Sequence, residues 1–477
     1  MSVTERGLSW LMLLLCVASI GAVTPDLRLA DALEHRDVET ARSLLKQHVD
    51  VNTPQPDGAT ALHWATHWDD LDMVDLLIRA GANVNAVNEL GVPPLSLACT
   101  NRNAAMTERL LGAGAHPDAA LLTGETVLMT AARTGSVDVV KALLAHGAPV
   151  NATERLRGQT ALMWAVAESH PDVVDILIKN GADVHARSVR GSTPLLFAAR
   201  AGDLASARSL IAAGADVNEA EPVLRLPENA DLNETLPGGN SALLLASASM
   251  NATSGFEYSL AVKPSGHEEL AIFLLNRGAD LSKTDTIGTT PLHAAVQTGK
   301  LELVKALLAH RANPDARLTK APPPLRGDFV AYTNYVGATP FWLAAAARVP
   351  DVGIMRALVS AGADPRLTVE DGTTPLMAAV GMVQNDARLA EEGSALEVVK
   401  FLVELGADVN AVNRTGQTAF HGSARAGWTS IVQFLADHGA RLEIKDKRGR
   451  TALDIAEDPL RPLESTAALL RKLAKNH

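Results

Sequence analysis

Aromatic residues make up only 4% of this 477-residue chain, with three tyrosines among them. A single large globular core draws much of its buried area from such rings, so their scarcity argues against one. The hydrophobic share is nevertheless 47%, mostly Ala, Val and Leu, which suits closely stacked helices. Cysteine is scarcer still, with Cys16 and Cys99 the only two. That excludes a disulfide framework, a Cys-pair zinc site and a haem-attachment motif. Cys99 reads as a small core residue. Positive charge is also in deficit: 43 Lys and Arg stand against 54 Asp and Glu, a net charge of −11. A general binder of nucleic acid or of anionic membranes needs a basic footprint, and this chain has none.

Long apolar runs are missing too. The run from Leu8 to Ile20 is shorter than the roughly 20 residues of a spanning helix. It follows Arg6 and precedes the small residues Gly21 and Ala22, the form of a secretory signal peptide cleaved near Ala22. The expected destination is the periplasm or the exterior, with no stable membrane insertion after cleavage; an uncleaved N-terminal anchor is the alternative. Cys16 lacks the preceding small residue of lipoprotein signals, and its loss with the signal would leave Cys99 alone.

What the chain has in abundance is repetition. The stretch from Gly124 to Leu156, GETVLMTAARTGSVDVVKALLAHGAPVNATERL, returns with the same period, the signature of stacked supersecondary units. Thr126 offers an oxygen at a helix start. Sister copies place proline next, at Thr193-Pro194, Thr290-Pro291 and Thr374-Pro375, where its missing N–H costs nothing. The first helix runs to about Arg133, and Gly135 breaks it. Val139, Val140, Leu143 and Leu144 form an apolar stripe on a second helix, closed by Gly147. A helix pair of this size buries only half its surface, so its neighbours must supply the rest.

The copies Thr60 to His63 (T-A-L-H) and Thr290 to His293 (T-P-L-H), the paired valines and leucines, and the Gly-Ala-Asp-Val-Asn of Gly406 to Asn410 resemble ankyrin repeats. The resemblance covers nearly all of the chain after the signal and is to an exported, bacterial-type ankyrin protein. It implies an all-α repeat solenoid of helix-turn-helix units with short hairpin-like return loops. In that family the imidazole at the slot of His63, His293 and His421 bonds the helix-start Thr and nearby backbone, which gives these histidines a structural role.

In chain order, residues 1–22 are the signal and 23–52 a degenerate N-terminal cap. Residues 53–218 are regular repeats whose helices start near Thr60, Pro93, Thr126, Thr160 and Thr193, 33 or 34 residues apart, the extra residue lying near Arg155. Residues 219–410 carry four insertions. Two lie in return loops, before Ser241 and before Thr339, and two lie between the helices of one unit, around Met250 to Gly266 and Met382 to Ser394. Residues 411–477 hold the last full repeat and a C-terminal cap. The whole reads as one continuous domain and a monomer. Arg311 occupies the slot where other units cap the second helix with glycine, so a distorted cap is expected there.

No catalytic or cofactor pattern stands out among these residues. His267-Glu268-Glu269 has no second His at the zinc-hydrolase spacing, Gly112-Ala-Gly114 lacks a third glycine, and no phosphate-binding loop or G-x-S-x-G occurs. Neither a metal nor a cofactor is expected, and the chain reads as a non-enzyme. Asn151 and Asn413 belong to Asn-x-Thr triplets but sit in repeat turns, where asparagine is expected for its backbone tolerance.

The resemblance instead implies a protein or peptide partner held on the concave face. Positions seven and eight after each helix-start residue include His67 and Trp68, Thr100 and Asn101, Arg133 and Thr134, Ala167 and Glu168, Arg200 and Ala201, Gln297 and Thr298, and Arg425 and Ala426. Of these, His67, Trp68, Asn101, Arg133, Glu168, Arg200, Gln297 and Arg425 are the expected contacts, tryptophan and arginine being the residue types enriched in interface hot spots. All three tyrosines, Tyr258, Tyr332 and Tyr335, fall within insertions, together with Phe256, Arg326 and Phe329. A pocket framed by Tyr258, Arg326, Phe329, Tyr332 and Tyr335, for a small ligand or a reaction, is the alternative function; an effector secreted into a host cell is another.

Overall fold

The computed structural model describes residues 26–223, 238–248, 267–320, 335–347, 349–382 and 391–476. Among them are helices and two isolated β-bridges, and no strand. The signal-like segment, the insertion around Met250 to Gly266 and most of each of the other three insertions lie outside the described residues. The chain forms two compact units, Met1–Leu156 and Arg157–His477, dividing beside the extra residue of the repeat.

In the first unit four helix pairs follow one another: Arg28–Glu34 with Val38–Lys46, Ala61–His67 with Leu71–Arg79, Pro94–Thr100 with Ala104–Gly112, and Val127–Thr134 with Val137–Ala145. First helices pack on the first helices of neighbouring pairs in sequence order. The fourth pair shows why the sequence folds this way. Thr126 Oγ1 accepts the Met129 N–H at 3.3 Å, Gly135 takes φ 73° between the helices, and Gly147 takes φ 87° after the second. Val139, Val140, Ala142 and Leu143 are buried; Leu144, at the edge of the apolar face, is half-buried.

In the second unit eight pairs continue the pattern, from Ala161–Ala167 with Pro171–Lys179 to Ala452–Ala456 with Glu464–Asn476. Again each pair packs on its sequence neighbours. The return-loop insertions leave from clamped bases: Glu221 N–H meets Asn240 C=O at 3.0 Å, and Leu318 N–H meets Ala338 C=O at 3.0 Å. The insertion near Met382 is partly absorbed by a longer second helix, Glu392–Glu404, of 13 residues where 9 is usual.

Two kinds of polar staple join successive repeats. One runs between return loops as backbone bonds: Glu89 N–H to Asp57 C=O (2.9 Å) in the first unit, and Arg414 to Asp371 (2.7 Å) and Lys447 to Thr415 (2.9 Å) in the second. The other uses the histidine slot. His63, His293 and His421 accept the N–H of Thr60, Thr290 and Thr418 on Nδ1 at 3.1, 3.2 and 3.2 Å. That leaves the proton on Nε2, which donates to a carbonyl of the next repeat: Val92 (3.0 Å), Ala338 (3.3 Å) and Arg450 (3.2 Å). The structural role implied for these histidines holds. In the pair starting at Thr339 the slot is filled by Trp342, fully buried, whose indole N–H donates to the Thr373 carbonyl at 3.0 Å.

Two expectations are corrected. The cap at Arg311 is regular: its N–H reaches the Leu308 carbonyl at 2.9 Å and Ala312 N–H reaches Leu307 at 3.0 Å, the bonds that Gly147 and Ala148 make in their repeat. Arg311 itself takes φ 67°, so the backbone keeps its form and the side chain bears a steric cost. Arg311→Gly is expected to raise stability by about 1 kcal/mol, read as a shift of the urea midpoint; a lower midpoint would show that the arginine side chain is needed there. Nor are the turn asparagines present for backbone tolerance, since neither Asn151 nor Asn413 has positive φ. Asn413 instead accepts the N–H groups of Thr415 and Gln417, each at 3.0 Å.

Candidate interaction surface

The residues expected to meet a partner sit at the C-terminal turns of the first helices, where each helix ends with carbonyls that lack an intrahelical donor. In the first unit Trp68 donates its indole N–H to the Leu33 carbonyl at 3.1 Å. Asn101 Nδ2 donates to the carbonyls of Thr66 (3.2 Å) and His67 (2.9 Å), and Thr134 Oγ1 to that of Cys99 (3.3 Å). Leu33, Thr66 and Cys99 each lie 35 residues before their donor. The slot read as partner-facing therefore carries a staple that caps the preceding repeat.

This divides the expected contacts of the first unit into two kinds. Asn101 is half-buried and its amide also meets Asp69 at 3.1 Å, so its hydrogen bonds are turned inward. Trp68 is stapled at its nitrogen yet 38% exposed, with its ring covered by Arg36 at 5.1 Å and met edge-on by His67 at 4.5 Å. His67 is exposed, and Arg133, also exposed, lies 3.6 Å from Glu125.

In the second unit Glu168 and Gln297 are exposed at the ends of Ala161–Ala167 and Pro291–Gln297. Arg200 and Arg425 are not free to reach a partner. Arg425 donates to the Gly381 carbonyl at 3.4 Å, and Arg200 pairs with Glu221 while donating to Ser192 Oγ at 3.4 Å. Glu221 also accepts from Ser192 (2.9 Å) and Asn240 Nδ2 (2.8 Å), and its neighbour Glu219 from Thr193. These acids bury the foot of the first return-loop insertion, a role that nothing in the repeat pattern announced.

Of the pocket expected from the insertions, Tyr258, Arg326, Phe329 and Tyr332 lie outside the described residues, as does Phe256. Tyr335 is described, and its ring meets Trp342 edge-on at 5.5 Å. Among the described residues no group of His, Cys, Asp and Glu could hold a metal, and no helix is long and apolar enough to cross a membrane. Cys99 is fully buried, and burial pushes its thiol up to about 12. It should not react with a disulfide reagent at pH 8 until the protein is unfolded; labelling of the native chain is the check.

Sequence reasoning missed two features of the first unit. The return-loop tips carry Leu90, Leu122 and Leu156, 70%, 66% and 76% exposed, and their only signal was an aliphatic residue one or two positions before a turn glycine. The other is the turn between the two helices of a pair, where Arg36, Asp69 and Arg102 take φ 60°, 57° and 60°.

Models of ankyrin repeats match residues 29–120, 95–188, 258–345 and 387–474 as triplets and 190–221 as a single repeat. The chain belongs to the ankyrin-repeat family. Among similar proteins, neurogenic locus notch homolog protein 1 of Homo sapiens is 32% identical over 47% of this chain and 8% of its own length. Transient receptor potential cation channel subfamily A member 1 of Homo sapiens is 24% identical over 88% of this chain and 37% of its own length. BRCA1-associated RING domain protein 1 of Caenorhabditis elegans is 40% identical over 19% of this chain. This ankyrin chain thus spans well under half the length of the relatives it matches. Ankyrin repeats serve generally as protein-binding scaffolds, and that coarse function carries over to this chain.

Proposed function

We propose that this chain is a non-enzymatic scaffold that binds a protein or peptide on the exposed C-terminal turns of its first helices, after export through the segment 1–22. The observation that carries the binding face is the exposed Trp68 ring between Arg36 and His67, an aromatic and cationic surface of the kind that anchors partners. Benzoylphenylalanine in place of His67 should crosslink the partner, whereas the same probe in place of Lys141, on the second helix of its pair, should not. Equal yields from the two positions would reject this face. Export is tested separately, by whether the mature chain in an extracytoplasmic fraction begins near Val23.

A further inference from the structure

In the 157–477 unit, three second helices carry a phenylalanine five residues before the glycine that caps them, at Phe273, Phe401 and Phe434. In two of them the fold covers that ring with a guanidinium from the preceding pair: Arg208 lies 4.7 Å over Phe273, and Arg356 lies 4.6 Å over Phe401. Both arginines stand six residues before the cap glycine of their own helix. At Phe434 the matching position is Lys400, whose amine pairs instead with Glu397 Oε1 at 2.9 Å. The only ring contact of Phe434 among the described residues is with His438, at 4.0 Å.

A half-open groove of about 390 Å³ remains beside that ring, between Glu392–Glu404 and Thr429–Asp437, lined by Lys400, Val403, Glu404, Phe434 and His438. Glu404 is exposed and has no side-chain hydrogen bond or ion pair among the described residues. At the other two junctions its place is held by Ala212 and Ser360. The junction without a covering arginine is therefore also the one with a carboxylate at its rim. Lys400 and Glu397 balance each other, which leaves the charge of Glu404 uncompensated. A guanidinium answers both features at once, since it stacks on an aromatic face and offers paired N–H groups to a carboxylate. Because one side of the groove is open, such a side chain can enter while its own backbone stays outside.

We infer that this groove takes the arginine side chain of a peptide partner, its guanidinium stacked on Phe434 as Arg356 is on Phe401 and paired with Glu404. The site lies on second helices and does not depend on the binding face proposed above.

The full chain is tested by saturation-transfer difference NMR with an acetylated Gly-Arg-Gly amide, beside its lysine and citrulline counterparts and agmatine. The arginine peptide should bind most tightly and weaken in about 0.5 M salt. Glu404→Gln should weaken it about fivefold, the scale of one exposed ion pair, while the melting temperature holds. Lys400→Arg should fill the place from within, as Arg356 does, and abolish the signal while the melting temperature holds or rises. Absence of binding, equal binding of the lysine or citrulline peptide, or binding that neither substitution changes would overturn the inference. Tighter binding of agmatine would do so too, since the groove would then serve a small guanidine rather than a peptide. A fall in melting temperature accompanying the loss in Glu404→Gln would assign the carboxylate to the fold and equally overturn it.

Discussion

Trp342→Ala should lower the stability of the 157–477 unit by about 4 kcal/mol, the loss expected on emptying a large buried aromatic site. Two effects combine there. The indole fills a fully buried space beneath Tyr335, and its N–H satisfies the Thr373 carbonyl of the next repeat at 3.0 Å. Trp342→His separates them, because imidazole in this slot bonds the following carbonyl in three other repeats and would restore the staple without the volume. Urea unfolding followed by circular dichroism should place the histidine variant between wild type and alanine. Equal losses from both would assign the whole effect to packing. Because repeats unfold with nearest-neighbour coupling, a partly unfolded plateau is the expected form of the alanine curve.

Acid should destabilise the same unit through His293. Its Nδ1 accepts the Thr290 N–H, so protonation there removes a bond and places a charge in a fully buried site. Burial accordingly holds its pKa down at about 4, against weaker upward pulls from the carbonyls of Ala338 and Ala316. The unfolded chain takes up the proton near the ordinary histidine value of 6.5 and the folded chain only near 4, so between them the unfolded state binds more protons. Stability is therefore full above about pH 6.5 and falls as pH drops toward 4, by up to about 3 kcal/mol from this one group.

His63 and His421 are lowered in the same direction by burial, opposed by the carbonyls of Val92 and Arg450 and by the charges of Asp57 and Asp446. His293→Met, which copies the Met129 slot, should flatten the dependence of the unfolding midpoint on pH between 7 and 4.5. A variant that keeps the wild-type slope would show that other groups carry the acid response.

The period and the helix starts and stops were legible because each is a local matter. A threonine that caps, a glycine that reverses the chain and a stripe of valine and leucine act within one repeat, and copying makes the signal unmistakable. The candidate surface was legible only in outline. His67 and the Trp68 ring lie where the repeat position puts them, while Asn101, Arg200 and Arg425 turn their polar ends to carbonyls or carboxylates of other repeats.

The sequence by itself determined that this protein is a row of helix pairs with no room for a private core in any one of them, since period and patterning are written within each copy. Only the tertiary structure decided which exposed-looking side chains are already taken. A hydrogen bond from Trp68 to Leu33, or from Trp342 to Thr373, joins residues 35 and 31 positions apart. Whether it forms depends on how neighbouring repeats stack, and a side chain cannot both cap its neighbour's helix and offer the same atoms to a partner.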